Sequence, residues 1–241
     1  MISRYAGTLF GSVWAFAQPV CTIVVFWFVF QVGFKNPPIS DVPYFLWMAS
    51  GLIPWFFFSD GWNMASSAFV EYSYLVKKVV FKVELLPLVK ILSTLYVHIF
   101  FVVFMVVLFV CNGIWPGIRL GWLLYYMSAS IVLVTGLSFA TSSLLVFYRD
   151  LQPMLGIVLQ FLMWLTPIMW SASMFPTSLM KFFKINPLYY VVNGYRYALI
   201  GDTSYMPTLQ YSVYFWFATS VILLVGINLF ERVKVHFADV L

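Results

Sequence analysis

The chain reads as an all-α polytopic membrane protein, and two observations predict that class. Its 241 residues are 63% hydrophobic and 9% charged, with a mean hydropathy of +0.95, a balance that would leave a soluble domain exposing too much apolar surface to stay dispersed. The apolar runs each last about 20 residues, the length that crosses a bilayer as a helix, and do not alternate over roughly ten as barrel strands do. In lipid the backbone must satisfy its own polar groups, so such runs become helices.

Six spans follow in order. The first covers Gly11–Phe34, with "IVVFWFVF" at its centre, and the second covers Tyr44–Ser66, with Asp60 near its inner end. The third runs over Leu88–Cys111, the fourth over Leu120–Phe147, the fifth over Pro153–Trp170 and the sixth over Gln210–Phe230. An even number of spans puts both termini on one side. With the termini inside, the inner segments carry eight cations (Arg4, Lys77, Lys78, Lys82, Lys90, Arg149, Arg232, Lys234) and the outer ones five (Lys35, Arg119, Lys181, Lys184, Arg196). That bias predicts cytoplasmic termini.

The connections differ in character. "KNPPISDVP" is stiff and rich in proline, and "YRDLQP" is a tight inner turn. Residues 171–207 are too apolar for a solvated loop and too polar for a seventh span. There Pro187 reads as a helix N-terminus, and "LYYVVNGYRYALI" after it suits short interfacial or re-entrant helices, buried against protein where they dip inward. One transmembrane domain, 1–241, accounts for the chain.

Several chemistries find no residues to carry them. No GxxxxGK[ST] loop is present, so the chain has no Walker-type nucleotide site of its own. HExxH, GxSxG and paired inward-facing carboxylates are absent as well. His98 in span 3 and His236 in the tail lack metal-ligand spacing, and His98 reads as a satisfied polar group between helices. Cys21 and Cys111 read as buried thiols, neither a disulfide nor a metal pair. An ion-driven carrier needs several ionisable groups near the midplane, and only His98 qualifies. The net charge of +5 forms no basic stripe for nucleic acid. No cleavable signal peptide is predicted. The membrane body therefore has no energy source of its own: one is supplied in trans, or the protein is a passive pore or a scaffold.

Six motifs in register bear on that question: "SRYAGTLFGSVWAFAQP" (3–19), "GLIPWFFFS" (51–59), "YLVKKVVFKVELLPL" (74–88), "FYRDLQ" (147–152), "LTPIMW" (165–170) and "INPLYYVVNGYRYAL" (185–199). Together they resemble the membrane permeases of ATP-binding-cassette (ABC) exporters for cell-surface polysaccharides, and most of all the teichoic-acid translocation permeases. The resemblance implies a bacterial plasma-membrane permease working as a homodimer, with two cytoplasmic ATPase subunits that hold ATP and magnesium. It implies a polyprenyl-diphosphate-linked glycan as substrate: wall teichoic acid first, O-antigen or capsule next. No covalent chemistry, cofactor or metal belongs to this chain in that reading. A drug efflux permease of related fold and a non-transporting scaffold for glycan assembly remain the alternatives.

The resemblance also implies roles for residues. Between spans 2 and 3 it places a coupling helix that enters a cleft of the ATPase, with Glu71, Tyr74, Lys77, Lys78, Lys82 and Glu84 as its contacts. On a helical wheel Glu71, Lys78 and Lys82 share one face, while Tyr72, Val76 and Val79 share another. The residues by themselves fit a surface helix on anionic headgroups equally well. Lys82 stands where the family often has proline, which predicts a helix running further here. The family also usually begins with a longer amphipathic segment than precedes "RYAGTLFG". Arg149 paired with Asp150 reads either as an inner gate or as positive-inside anchoring, and Gly7 with Gly11 as a close helix contact or as ordinary glycines. Pro187, Tyr189, Tyr190, Asn193 and Arg196 form the expected outer gate. Pro54 and Pro167 predict kinks within spans 2 and 5, and Pro87 predicts the stop before span 3. Most aromatics face lipid, with Trp47, Trp55 and Phe56 as candidates for the translocation path.

Overall fold

The computed structural model describes residues 13–76, 82–171 and 174–240. Gly7, Gly11, Lys77 and Lys78 lie outside them. The described residues are helical almost throughout, with no strand beyond an isolated bridge between Ile39 and Val42. Helix α1 (Trp14–Trp27) continues as a π-helical stretch over Phe28–Gly33. Then come α2 (Tyr44–Ser66), the one-turn helices α3 (Ala68–Glu71) and α4 (Ser73–Val76), α5 (Leu85–Cys111), α6 (Leu120–Leu145) and α7 (Leu151–Leu165). The chain ends with α8 (Thr177–Phe183), α9 (Pro187–Ile200), α10 (Leu209–Val233) and α11 (Phe237–Val240). Among the described residues, four helical stretches are long and apolar enough to cross a membrane: Trp14–Gly33, Leu85–Cys111, Gly117–Leu145 and Leu209–His236.

Helix α2 occupies the centre. It is apolar on every side, and such a helix has to be buried on every side. It packs on α5, α6, α7 and α9, and Leu46, Trp47, Met48 and Leu52 are sealed within it. The surrounding helices are two-faced. On α5, Leu86, Ile91, Thr94, His98, Phe101 and Met105 turn inward at spacings of three to five residues, while Val89, Leu92, Tyr96, Val103 and Val107 stand exposed. An exposed apolar stripe of that length on a membrane helix is a lipid face. Cys21 and Cys111 are exposed too, so the expectation that they are buried fails. A thiol is apolar enough to face hydrocarbon.

Helices α6 and α10 cross at two glycines. A Cβ on Gly136 would meet the Leu223 Cα at 2.8 Å, and one on Gly226 would collide with the Gly136 carbonyl oxygen. Hydrocarbon chains solvate apolar side chains as well as a neighbouring helix does, so close backbone approach supplies much of the association.

Helix α7 is shorter than the predicted fifth span. It stops at Leu165 because Thr166 precedes Pro167 and takes an extended conformation, φ −93° and ψ 131°. Pro167 therefore ends the helix instead of kinking it. Pro54 does lie within α2, as expected, and Pro19 lies within α1. Pro87 is in the first turn of α5 and not ahead of it, a position where a missing N–H leaves no intrahelical bond unmade.

Candidate functional site

Most of the candidate functional residues lie near the two ends of α2, whose 23 residues span about 35 Å at 1.5 Å each. At the Ser66 end the described residues make two short helical turns, α3 and α4, before α5. The helix predicted over 71–82 is interrupted at Tyr72, and its residues 77–81 lie outside the described ones. Tyr72, at φ −108° and ψ 34°, breaks the helix after Glu71. Lys82 sits in a turn whose carbonyl accepts from the Leu85 N–H at 3.1 Å.

Two contacts pin this segment. Phe69 is fully buried, stacked on Phe230 of α10 at 5.7 Å between centroids and against Phe237 of α11 at 5.0 Å. Phe139 of α6 joins the same cluster, 5.4 Å from Phe230. Next to it, the Lys90 ammonium donates to both Glu71 carboxylate oxygens at 2.7 Å and lies 4.7 Å from the Tyr72 ring centroid. Glu71 thus pairs with α5 and not along its own helix. The Lys90 side chain is only 7% exposed, a burial that a cation tolerates when paired. Tyr74 and Lys82 are exposed, and Glu84 is half-buried just before α5.

The α6–α7 turn lies at the same end. Arg149 and Asp150 are both exposed and make no ion pair with each other, so the expected pairing is absent. The turn is tied instead by the Gln152 Nε2 donating to Asn63 Oδ1 of α2 at 2.6 Å.

At the Tyr44 end, the break after α7 frees backbone carbonyls inside the protein, where irregular backbone at membrane depth needs protein partners. Two side chains meet that need, and a third braces the break through a side-chain hydroxyl. The Tyr44 hydroxyl donates to the Met169 carbonyl, Arg196 Nη2 donates to the Ile168 carbonyl at 2.9 Å, and Asn186 Nδ2 donates to Thr166 Oγ1 at 2.8 Å. Arg196 is 1% exposed, its guanidinium 3.8 Å from the Trp47 ring centroid. Gly51 lies directly beneath: a Cβ there would come within 3.0 Å of Nη2. Among the described residues no carboxylate pairs with Arg196, and its buried Nε finds no hydrogen-bond partner. Trp47 Nε1 donates to the Tyr205 hydroxyl at 2.8 Å, and Ser40 Oγ donates to Asp202 Oδ2 at 2.6 Å.

Arg196 is carried by α9, which begins at Pro187 as its sequence predicts. Asn186 caps it by accepting from the Leu188 N–H at 3.0 Å. All the expected outer-gate residues lie on this helix. Tyr190 stacks on Phe215 of α10 at 4.3 Å, and its hydroxyl lies 3.0 Å from that of Tyr125 of α6. Tyr189 and Asn193 are buried on α9. Tyr195 reaches inward, its hydroxyl 2.7 Å from His98 Nε2, which gives His98 the interhelical partner expected of it. Of the candidate path residues, Trp47 and Trp55 are enclosed in the core, and Phe56 lines a small crevice of about 50 Å³ between α1, α2 and α5.

The sequence reading missed Lys90 as an ion-pair partner, Phe69 as a buried wedge and Asn63–Gln152 as a clasp. Lys90 carried the one available signal, a lone cation two residues after "LPL" at the head of an apolar helix.

The ABC-2 type transporter family model matches residues 1–200. Similar curated proteins include two from Klebsiella pneumoniae named O-antigen export system permease protein RfbA. One is 25% identical over 241 residues and the other 23% over 239, each match covering 99% of this chain and 90% of the relative. A Myxococcus xanthus protein of the same name is 24% identical over 196 residues, 80% of this chain and 74% of its own. With its apolar helices and a match over most of its length, the chain belongs to the ABC-2 type transporter family.

Proposed function

We propose that this chain is the membrane permease of an ATP-driven exporter of lipid-linked cell-surface polysaccharide in a bacterial plasma membrane. Two copies would stand side by side with two cytoplasmic ATPase subunits, and α1, α2, α5, α6, α7 and α10 would make six spans with both termini inside. The names of the relatives favour an O-antigen-like glycan over teichoic acid. In this reading residues 68–90 receive the ATPase stroke, with Tyr74, Lys77, Lys78, Lys82 and Glu84 offered to the partner. Arg149 and Asp150 belong to the inner rim, and α9 forms the outer gate.

The observation that carries the reading is the pinning of residues 68–76 to the ends of α5, α10 and α11 through Phe69 and the Glu71–Lys90 pair, beside Phe139 of α6. A push on a segment held this way moves those helices together, as rigid-body switching requires. The test is ATP-dependent protection of labelled lipid-linked polymer in sealed vesicles holding this chain and the ATPase encoded beside it. Polymer that stays accessible with partner and ATP present sinks the proposal. Turnover stimulated by small hydrophobic drugs and not by glycan would move the chain to drug efflux. Charge reversal at Lys77 and Lys78 is expected to uncouple ATP turnover from export while leaving the permease inserted.

A further inference from the structure

Beside the Arg196 network, between α9 and the start of α10, lies a pocket of about 370 Å³ that shares Tyr189 and Asn193 with the expected outer gate and to which no ligand has been assigned above. Its volume falls within the roughly 300–1,000 Å³ range of small-ligand sites. Four tyrosines wall it: Tyr189, Tyr205, Tyr211 and Tyr214. The Tyr211 and Tyr214 rings lie nearly parallel, 8° apart with centroids at 6.0 Å, and Tyr189 meets Tyr211 edge-on at 5.9 Å. The wall is braced, since the Tyr214 hydroxyl donates to the Ile185 carbonyl at 2.7 Å and the Tyr205 hydroxyl accepts from Trp47.

The remaining lining selects the ligand. Asn193, Ser204, Thr208 and Gln210 offer amide and hydroxyl groups, and Lys184 adds one exposed cation. Among the described residues no carboxylate lines the pocket. Aromatic walls alone would suit a quaternary ammonium, but a lysine at the rim with no acidic counter-charge disfavours a cation. A purely apolar guest would leave the amides unpaired on binding. A pyranose satisfies both halves, its C–H face lying on an aromatic ring and its hydroxyls bonding to amides. The lysine also tolerates uronate or phosphate substituents.

We propose that this pocket binds a sugar unit of the polymer as it emerges on the outer side. The proposal rests on the export reading for the source of the sugar, whereas the binding chemistry is measured without transport. The first arm is saturation-transfer NMR on the full chain in lipid nanodiscs, using soluble mannose, galactose, rhamnose and N-acetylglucosamine trisaccharides, with phosphocholine as the cationic control. At least one saccharide should give transfer. Tyr214→Ala should weaken it about tenfold, the equivalent of one aromatic contact. Gln210→Ala, an exposed substitution that leaves the packing alone, should weaken it severalfold. No transfer from any saccharide, a preference for phosphocholine, or signals unchanged in both variants would overturn the site. The second arm places a photocrosslinker at Gln210 in cells. Glycan adducts should appear with an active ATPase partner and vanish with a hydrolysis-dead one. Adducts that persist would overturn the emerging polymer as the source.

Discussion

Each end of α2 buries one cation, and the two are held in opposite ways. Lys90 has a carboxylate at 2.7 Å and an aromatic face nearby. Arg196, more deeply buried, has the faces of Trp47 and Tyr205 and a carbonyl, with Nε unpaired. A paired cation at a half-open surface is a staple. A buried cation without a counter-charge keeps a standing desolvation cost, and it is retained here because it satisfies backbone that the Thr166–Pro167 break leaves open. In the proposed exporter, the stapled end receives the stroke as a rigid block. The other end is the one that can rearrange, since any new position offering Arg196 better solvation competes with the closed one.

The largest expected effect tests the Arg196 end. Trp47→Ala removes a core ring and the surface on which the guanidinium rests, and should lower stability by about 3–5 kcal/mol. Denaturation of the nanodisc-embedded chain measures it. A double-mutant cycle with Arg196→Met should return a coupling of about 2 kcal/mol, the worth of a desolvated cation–π contact. A coupling near zero would make the stacking incidental and remove the contrast between the two ends.

Next is the staple. A fully buried pair broken on one side costs about 3–5 kcal/mol, but the Glu71 side chain is 41% exposed, so Glu71→Gln should cost about 1–2 kcal/mol. The same change should leave basal ATP turnover of the complex intact and reduce polymer-dependent turnover. If export survives unchanged, the stroke does not pass through this pair.

The connection between the ends is open to test at the α6–α10 crossing. Gly136→Ala sets a methyl against the Leu223 backbone and should cost about 1–3 kcal/mol by overpacking. If the two ends communicate through these helices, export should fall further than the stability loss alone explains. Gly121→Ala, a helical position with nothing within 4 Å, serves as the control.

Which of these features the sequence announced follows from the range of the interaction. Long apolar runs fixed the positions of the major helices, because a span is a local property of about twenty residues. Pro187 marked α9 for the same reason. The early end of α7 was also locally legible, in the bias that Pro167 imposes on Thr166. The Lys90–Glu71 pair was not, because its members are nineteen positions apart across a break at Tyr72, and a helical wheel cannot cross a break. Gly136 and Gly226 each look like an ordinary glycine in an apolar helix, and their meaning exists only where the two helices touch. Arg196 was expected at a gate by resemblance, but its observed partners, the Ile168 carbonyl beside Pro167 and the Trp47 ring, lie far from it in sequence.

The smallest expected effect concerns the outer edge of the Arg196 network. The Ser40 hydroxyl, first, and the Ser204 N–H beside it, second, hold the Asp202 carboxyl below its usual value. A carboxylate favoured in the folded state contributes stability above its unfolded pKa, and that contribution is lost as pH falls through the lowered folded value. Stability should therefore decline on the acid side of the ordinary aspartate range, about pH 4, and Ser40→Ala should flatten part of that decline while leaving neutral-pH stability nearly unchanged. Asp202 is half-buried at the surface of the protein, so the effect is small, and salt should diminish it.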